Sequence, residues 1–141
     1  MLWVLLLNLG TIERPPNLDV QVLLGSSSPQ SHMLEKAYTS PVIKKVFVRH
    51  GLKYFYLLNE ATLTFSQKGA KAEVLVLPNN RTAHFTYQGN RAQQYAFDFW
   101  LPDYNVKAQF QAPTERTFYQ AGIKHPNGMV ILKIRVRSAR K

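Results

Sequence analysis

The chain has 141 residues, 45% of them apolar, and no cysteine. This length suits one domain with its own hydrophobic core, and the missing cysteines exclude disulfides, thiolate metal sites and cysteine nucleophiles. The formal net charge is +10, and 16 of the 18 Lys and Arg residues follow residue 43. Such a balance favours polyanionic partners such as nucleic acid or anionic lipid, and an ordinary domain with a high isoelectric point is the alternative.

Turn-forming residues dominate the N-terminal part of the chain. Prolines, glycines and Ser26–Ser28 interrupt residues 10–31, which predicts an irregular N-terminal segment over residues 1–31 with one short strand at Val20–Leu24. Leu2–Leu9 is apolar apart from Asn8. It is far shorter than the roughly 20 residues of a spanning helix, and we interpret it as a buried strand or the remnant of a longer hydrophobic segment. Residues 32–141 are predicted to form a single domain.

A helix is predicted to begin near residue 41. Ser40 followed by Pro41 is typical of an N-cap and first helical turn, and Gly51 is a plausible stop. The apolar positions that recur at helical spacing are Ile43, Val46 and Phe47. The apolar run Leu52–Leu58 fits a continued helix or a strand, and periodicity does not decide between them.

Residues 61–137 predict antiparallel strands, because apolar and aromatic residues alternate with polar ones between turn motifs. Asn127-Gly128 is the strongest hairpin signal. The alternation of Tyr95, Phe97 and Phe99 with the smaller or polar Ala96 and Asp98 indicates a sheet with one packed face. Turns are predicted at Lys68-Gly69, Pro78–Asn80, Gly89-Asn90, Pro102–Asn105 and His125–Gly128. The predicted fold class is α+β, an N-terminal helix packed on an antiparallel β-meander.

The sequence contains no motif that carries known catalytic chemistry. The four histidines have no metal-binding spacing, no serine lies in a nucleophile-elbow motif, and the isolated glycines form no phosphate-binding loop. The eight carboxylates are dispersed. We therefore predict a protein that is not an enzyme, with no cofactor, no metal and no small-molecule substrate.

Basic residues follow a clear pattern on the last predicted strand. Lys133, Arg135 and Arg137 alternate with apolar residues, so same-face neighbours lie about 7 Å apart, which suits a track for phosphates. The candidate nucleic-acid-binding residues are Arg81, Arg91, Lys133, Arg135, Arg137 and Arg140. A solvated outer face, or charges that protect an edge strand, is the alternative. A second mixture of bases and aromatics consists of Lys44, Lys45, Phe47, Arg49, Lys53, Tyr54 and Tyr56.

The segment Thr117–Leu132, TFYQAGIKHPNGMVIL, resembles the late hairpin of minor pseudopilins, in which a phenylalanine precedes a glycine, a Pro/Gly turn and an apolar strand. Leu101-Pro102 before Val106–Phe110 is similar to a strand junction in the competence branch of that family. The resemblance implies a structural subunit of a DNA-uptake or type II secretion filament on the extracytoplasmic face of the cell envelope. Its partners would be other filament subunits and DNA. The alternative is a small, basic, β-rich nucleic-acid-binding domain in the cytoplasm.

Overall fold

The computed structural model describes residues 14–69 and 71–138, so the prediction for Leu2–Leu9 lies outside the described residues. Helix α1 spans Pro41–Phe47, and short 3-10 turns lie at Ser31–Lys36, Val48–His50, Pro78–Asn80 and Pro102–Tyr104. The strands are β1 (Asn17–Ser26), β2 (Tyr54–Thr64), β3 (Glu73–Val76), β4 (Thr82–Arg91), β5 (Gln94–Leu101), β6 (Val106–Ala112), β7 (Thr117–His125) and β8 (Gly128–Arg137). Among these residues no helix is both long and apolar enough to cross a membrane.

The strands form two four-stranded antiparallel sheets. Sheet 1 has the order β2-β1-β8-β7 and sheet 2 the order β3-β4-β5-β6. Buried residues from both sheets belong to one continuous apolar cluster, so the inner faces pack on each other as in a β-sandwich. Sheet 2 contributes Phe85, Tyr87, Phe97 and Phe99 to this cluster. The expected burial of Phe97 and Phe99 is confirmed, and Tyr95 is half-buried beside them.

The predicted α+β fold, an N-terminal helix packed on one antiparallel meander, is wrong. Strands make up 57% of the structure and helices 17%, and the strands are divided between two sheets. Only sheet 2 is a meander of consecutive strands. In sheet 1, β1 lies between β2 and β8 and pairs with both along nine or more residues. The strands β2 and β3, and likewise β6 and β7, follow each other in the chain but belong to different sheets, so the predicted single sheet is divided into two.

Strand β1 runs through ten residues of the segment 1–31 that was expected to be irregular. Leu18, Val20 and Val22 are buried on the inner face, while Asp19 and Gln21 between them lie on the partly exposed outer face. The expected short strand at Val20–Leu24 is the centre of this longer one. Nearby prolines, glycines and serines lie at its two ends and did not indicate its length.

Helix α1 covers one half of the outer face of sheet 1. The Ser40 side chain accepts a hydrogen bond from the Ile43 amide at 3.4 Å, which confirms the predicted N-cap, and Gly51 is a left-handed C-cap. Ile43 and Phe47 are one helical turn apart and both face the sheet. They pack in a second cluster with Leu23, Leu52, Phe55 and Ile131. The run Leu52–Leu58, which periodicity left open, lies largely in β2.

One predicted turn lies at a different position, and the late hairpin lies where it was predicted. Gly89-Asn90 is not a turn but part of β4, next to a register shift, and the chain reverses at Ala92-Gln93. Both residues have positive φ, 53° and 67°, as a two-residue type I′ hairpin loop requires. The late hairpin is confirmed: His125 pairs with Gly128, which leaves Pro126-Asn127 as its loop.

Candidate functional site

The basic row of β8 lies where the sequence predicted it. Lys133, Arg135 and Arg137 are on the outer face of sheet 1, and the apolar residues between them are buried. These three side chains line a shallow depression of about 530 Å³ on the half of the face that α1 leaves uncovered. Across that depression, Asp19 of β1 is opposite Arg135, and Gln21 is opposite Lys133.

Each base of this row already has a protein partner. Lys133 donates a hydrogen bond to the Tyr38 hydroxyl at 3.0 Å and lies over that ring. Arg135 pairs with Glu115 at 2.6 Å, and Arg137 pairs with Asp19 at 3.1 Å. These contacts compete with any phosphate for the same donors.

The depression is also lined by acidic groups. Asp19 and Glu60 are among its lining residues, and Glu115 outside it is bonded to Arg135, so three acids accompany the three bases. Gln21 and Thr62 donate further hydrogen bonds to Glu60 and Asp19. Because the local charges balance, the depression has little attraction for a polyanion.

The other candidate bases do not join this row. Arg81 precedes β4 of sheet 2 and lies 5.0 Å from the centre of the Tyr104 ring. Arg91 ends β4 and lines a small depression beside β5 and β6. Arg140 lies outside the described residues. The structure therefore brings together three of the six predicted residues and separates Arg81 and Arg91 from them.

A more strongly basic surface lies around α1. We define the helical flank as residues 31–54, which connect β1 to β2 and cover half of the outer face of sheet 1. It carries five bases against one acid, Glu35. The bases are Lys36, Lys44, Lys45, Arg49 and Lys53. All five are exposed, and neither of the two ion pairs among the described residues involves them.

The helical flank also exposes apolar side chains in unusual number. Five of the eight large exposed apolar residues of the described chain lie in this segment, and Val42 and Val48 are 60% and 64% exposed. The five are Leu34, Val42, Val46, Val48 and Tyr54. Leu34 and Tyr54 line a crevice of about 210 Å³ together with Lys44 and Lys53. Bases and apolar side chains are therefore interleaved on one surface.

The helical geometry explains this arrangement. At 3.6 residues per turn, burial of Ile43 and Phe47 against the sheet turns Lys45 and Arg49 toward solvent, with valines on either side. Val46 fits the same helical spacing as Ile43 and Phe47, but it is 46% exposed. The informative sequence signal is that three valines and three bases occupy the exposed positions between 42 and 49, where an ordinary solvent-exposed helix face would be polar throughout.

The described residues contain neither a metal-binding group nor an unpaired buried polar side-chain atom. No group of three or more His, Asp or Glu side chains is placed to hold a metal ion within residues 14–69 and 71–138. In the same ranges, every buried side-chain nitrogen and oxygen has a hydrogen-bond partner.

His125, at the late hairpin, has a perturbed environment. Partial burial lowers its pKa below the ordinary value of 6.5, and its Nδ1 accepts a hydrogen bond from the Asn127 amide at 3.1 Å. Protonation at Nδ1 removes this acceptor.

We expect a pH dependence of stability from His125. Because the folded pKa is lowered, the unfolded chain binds the proton more readily, and the contribution to stability is complete above 6.5 and is lost as the pH falls below it. Urea unfolding at pH 7.5 and 5.5 measures the loss, and His125→Gln is expected to show a smaller difference between the two pH values. An equal difference in both proteins would show that other groups account for it.

Comparison of the chain with protein-family models, with curated proteins and with solved structures finds no match.

Proposed function

We propose that this protein is a non-catalytic domain that docks on an anionic lipid surface of the cell envelope through the helical flank. The observation that carries the proposal is the interleaving of five exposed bases with five exposed apolar side chains on this one surface. Bases near a membrane each gain about 1 kcal/mol from anionic headgroups, and apolar side chains gain by entering the boundary with the acyl chains.

The aliphatic side chains favour lipid over nucleic acid as the partner. Phosphate backbones attract the same bases, but isolated valine and leucine side chains gain nothing from contact with phosphates or sugars. Single-strand binders instead place aromatic rings beside their bases for stacking. On the helical flank the exposed apolar set is four aliphatic residues and one tyrosine, Tyr54. Nucleic-acid binding is therefore the second outcome that the experiment below is designed to detect.

The filament-subunit interpretation stays a prediction from the sequence, based on the late hairpin and the Leu101-Pro102 junction. The helix on a meander that was predicted as the fold is replaced by a sandwich with a seven-residue helix. The envelope location predicted with it is compatible with lipid docking, so we retain that location as part of the proposal.

Vesicle binding tests the proposal with matched pairs of charge removals. We expect the unaltered protein to co-sediment with vesicles of phosphatidylcholine containing phosphatidylglycerol and to leave pure phosphatidylcholine vesicles unbound. Lys45→Gln with Arg49→Gln is expected to weaken binding by roughly 30-fold, since two bases contribute about 2 kcal/mol. Arg135→Gln with Arg137→Gln removes the same charge from the neutralised depression and is expected to change binding less than about 3-fold.

A second vesicle-binding experiment tests the contribution of the exposed apolar side chains. Val42→Ser with Val48→Ser keeps the net charge, and we expect it to abolish the binding that persists in high salt, where electrostatic attraction is screened. If the two charge-removal pairs weakened vesicle binding equally, the helical flank would not be the membrane-binding surface. Gel-shift binding of DNA that depends on Lys45 and Arg49, with no vesicle binding, would replace lipid by nucleic acid as the partner.

A further inference from the structure

The outer face of sheet 2 has a composition unlike that of the helical flank. Cross-strand register places Val74, His84, Trp100 and Lys107 in one row across all four strands. The next row contains Thr86, Asp98 and Gln109, and a third includes Gln111. This face therefore combines a central aromatic row with neighbouring amides and a carboxylate.

Trp100 is the centre of the first row and is 42% exposed, although it lies on an interior strand of its sheet. His84 on one side approaches its ring to 5.2 Å between centroids, and Lys107 on the other lies 5.5 Å from the ring centre. Lys107 therefore lies over the ring and His84 beside it, and the part of the indole that remains exposed borders a surface depression.

Asp98 lies one row away, about 7 Å along the strand from Trp100. Its Oδ2 accepts a hydrogen bond from Gln88 Nε2 at 2.8 Å, and no donor among the described residues is bonded to Oδ1. The carboxylate is therefore oriented by an amide and keeps one oxygen available as an acceptor.

Two depressions meet at this carboxylate. One of about 510 Å³ is lined by Trp100 and Lys107, the other of about 150 Å³ by Gln88 and Arg91, and both share Asp98 and Gln109. Because they share these two residues, the depressions adjoin, and we refer to them together as the groove, which extends from the indole to the amide cluster. A groove of this form suits an extended ligand with several repeating units better than a compact one.

We propose that this groove binds a neutral glycan chain. A sugar ring presents an apolar face of C–H groups that packs on an exposed indole, while its edge carries hydroxyls that are both donors and acceptors. Planar amides and a carboxylate with a free oxygen satisfy such hydroxyls, with the carboxylate giving the stronger, charge-assisted bond. The groove carries mixed charge, with Asp98 between Lys107 and Arg91, and so has no single sign that would select a uniformly charged partner.

The glycan groove and the helical flank lie on opposite sides of the sandwich. The flank covers the outer face of sheet 1, whereas Trp100 and Asp98 lie on the outer face of sheet 2. A domain seated on lipid by its flank would therefore hold the groove away from the membrane. The inference stands without the lipid proposal, because the two surfaces share no residue.

Isothermal titration with neutral oligosaccharides tests the groove. The probes are hexamers of β-glucan, mannan and chitin, with a polyuronate oligomer and single-stranded DNA as charged comparisons. We expect at least one neutral hexamer to bind the unaltered protein. Trp100→Ala is expected to weaken its binding about 10-fold or more, as for a central aromatic contact, and Asp98→Asn to weaken it by a smaller factor. Tyr54→Ala removes an exposed aromatic from the opposite side and is expected to leave the affinity unchanged.

Three results would overturn the inference: no heat from any neutral hexamer at millimolar concentration, unchanged affinity in Trp100→Ala, or binding confined to the charged comparisons. Urea unfolding of Trp100→Ala confirms that a loss of binding is not a loss of folding. We expect Trp100→Ala to bind anionic vesicles normally, so failure of the groove and failure of the lipid proposal give different results.

Discussion

Replacing Phe97 by alanine is expected to lower the free energy of unfolding by about 3 to 5 kcal/mol. Phe97 lies on β5, an interior strand of sheet 2, and is 1% exposed. Its ring centre lies 5.3 Å from that of Phe65, 5.4 Å from Tyr87 and 5.2 Å from Phe110, the last in a stacked arrangement. Removal of the ring leaves a cavity between neighbours that are held by their strands and cannot close it fully.

Urea denaturation followed by circular dichroism measures this loss. Domains of this size have total stabilities of about 5 to 15 kcal/mol, so the variant is expected to lose about a fifth of its stability or more. Phe97→Leu is the matched control: it keeps most of the volume and is expected to lose less than half as much. A loss below about 1 kcal/mol in Phe97→Ala would show that the two sheets do not share a tightly packed core at this position.

Local features of the fold could be predicted because local chemistry determines them. Ser40 caps α1 through its own hydroxyl, and the burial of Phe97 and Phe99 on either side of Asp98 follows from the two faces of a strand. The late hairpin followed from turn residues between two apolar runs. In each case the residues that determine the structure are within a few positions of one another.

The division into two sheets could not be predicted in this way, because it depends on contacts between distant parts of the chain. Strand β1 pairs with β8, and the ion pair between Asp19 and Arg137 spans 118 positions. The alternation in β1 indicates a strand with one buried face, but nothing in it specifies β2 and β8 as its neighbours. A pattern of consecutive hairpins is compatible with one sheet or two, and the meander was the simpler interpretation.

The same distinction applies to the candidate sites. The sequence correctly placed Lys133, Arg135 and Arg137 on one face, because strand periodicity is local. Their neutralisation depends on Asp19, Glu115 and Tyr38, which reach them only in the folded chain. Conversely, the bases of the helical flank were recognised as a group, but the exposure of the valines among them follows from how little of α1 the sheet covers.

The second large effect is expected from Gly128→Ala, at the start of β8. Gly128 has φ of 153°, which an L-residue with a side chain rarely adopts, and a Cβ at this position would overlap the carbonyl oxygen of Gly25. Gly25 pairs with Met129, so the close approach joins the late hairpin to the end of β1. Because the overlapping atoms belong to the backbone, relief requires β1 and β8 to move apart at the centre of sheet 1. We expect a loss of about 4 kcal/mol or more in the free energy of unfolding, measured by urea denaturation.

Gly51→Ala is the control that separates the cost of a side chain at positive φ from the cost of atomic overlap. Gly51 also has positive φ, 72°, but no atom lies within 4 Å of the position a Cβ would take. Its replacement therefore adds only the conformational cost of about 1 to 2 kcal/mol. Comparable losses in the two variants would mean that the hairpin and β1 separate without cost, and the central pairing of sheet 1 would then be looser than the register indicates. A much larger loss in Gly128→Ala ties the late hairpin, the most predictable element of the sequence, to β1, the strand whose position the sequence did not reveal.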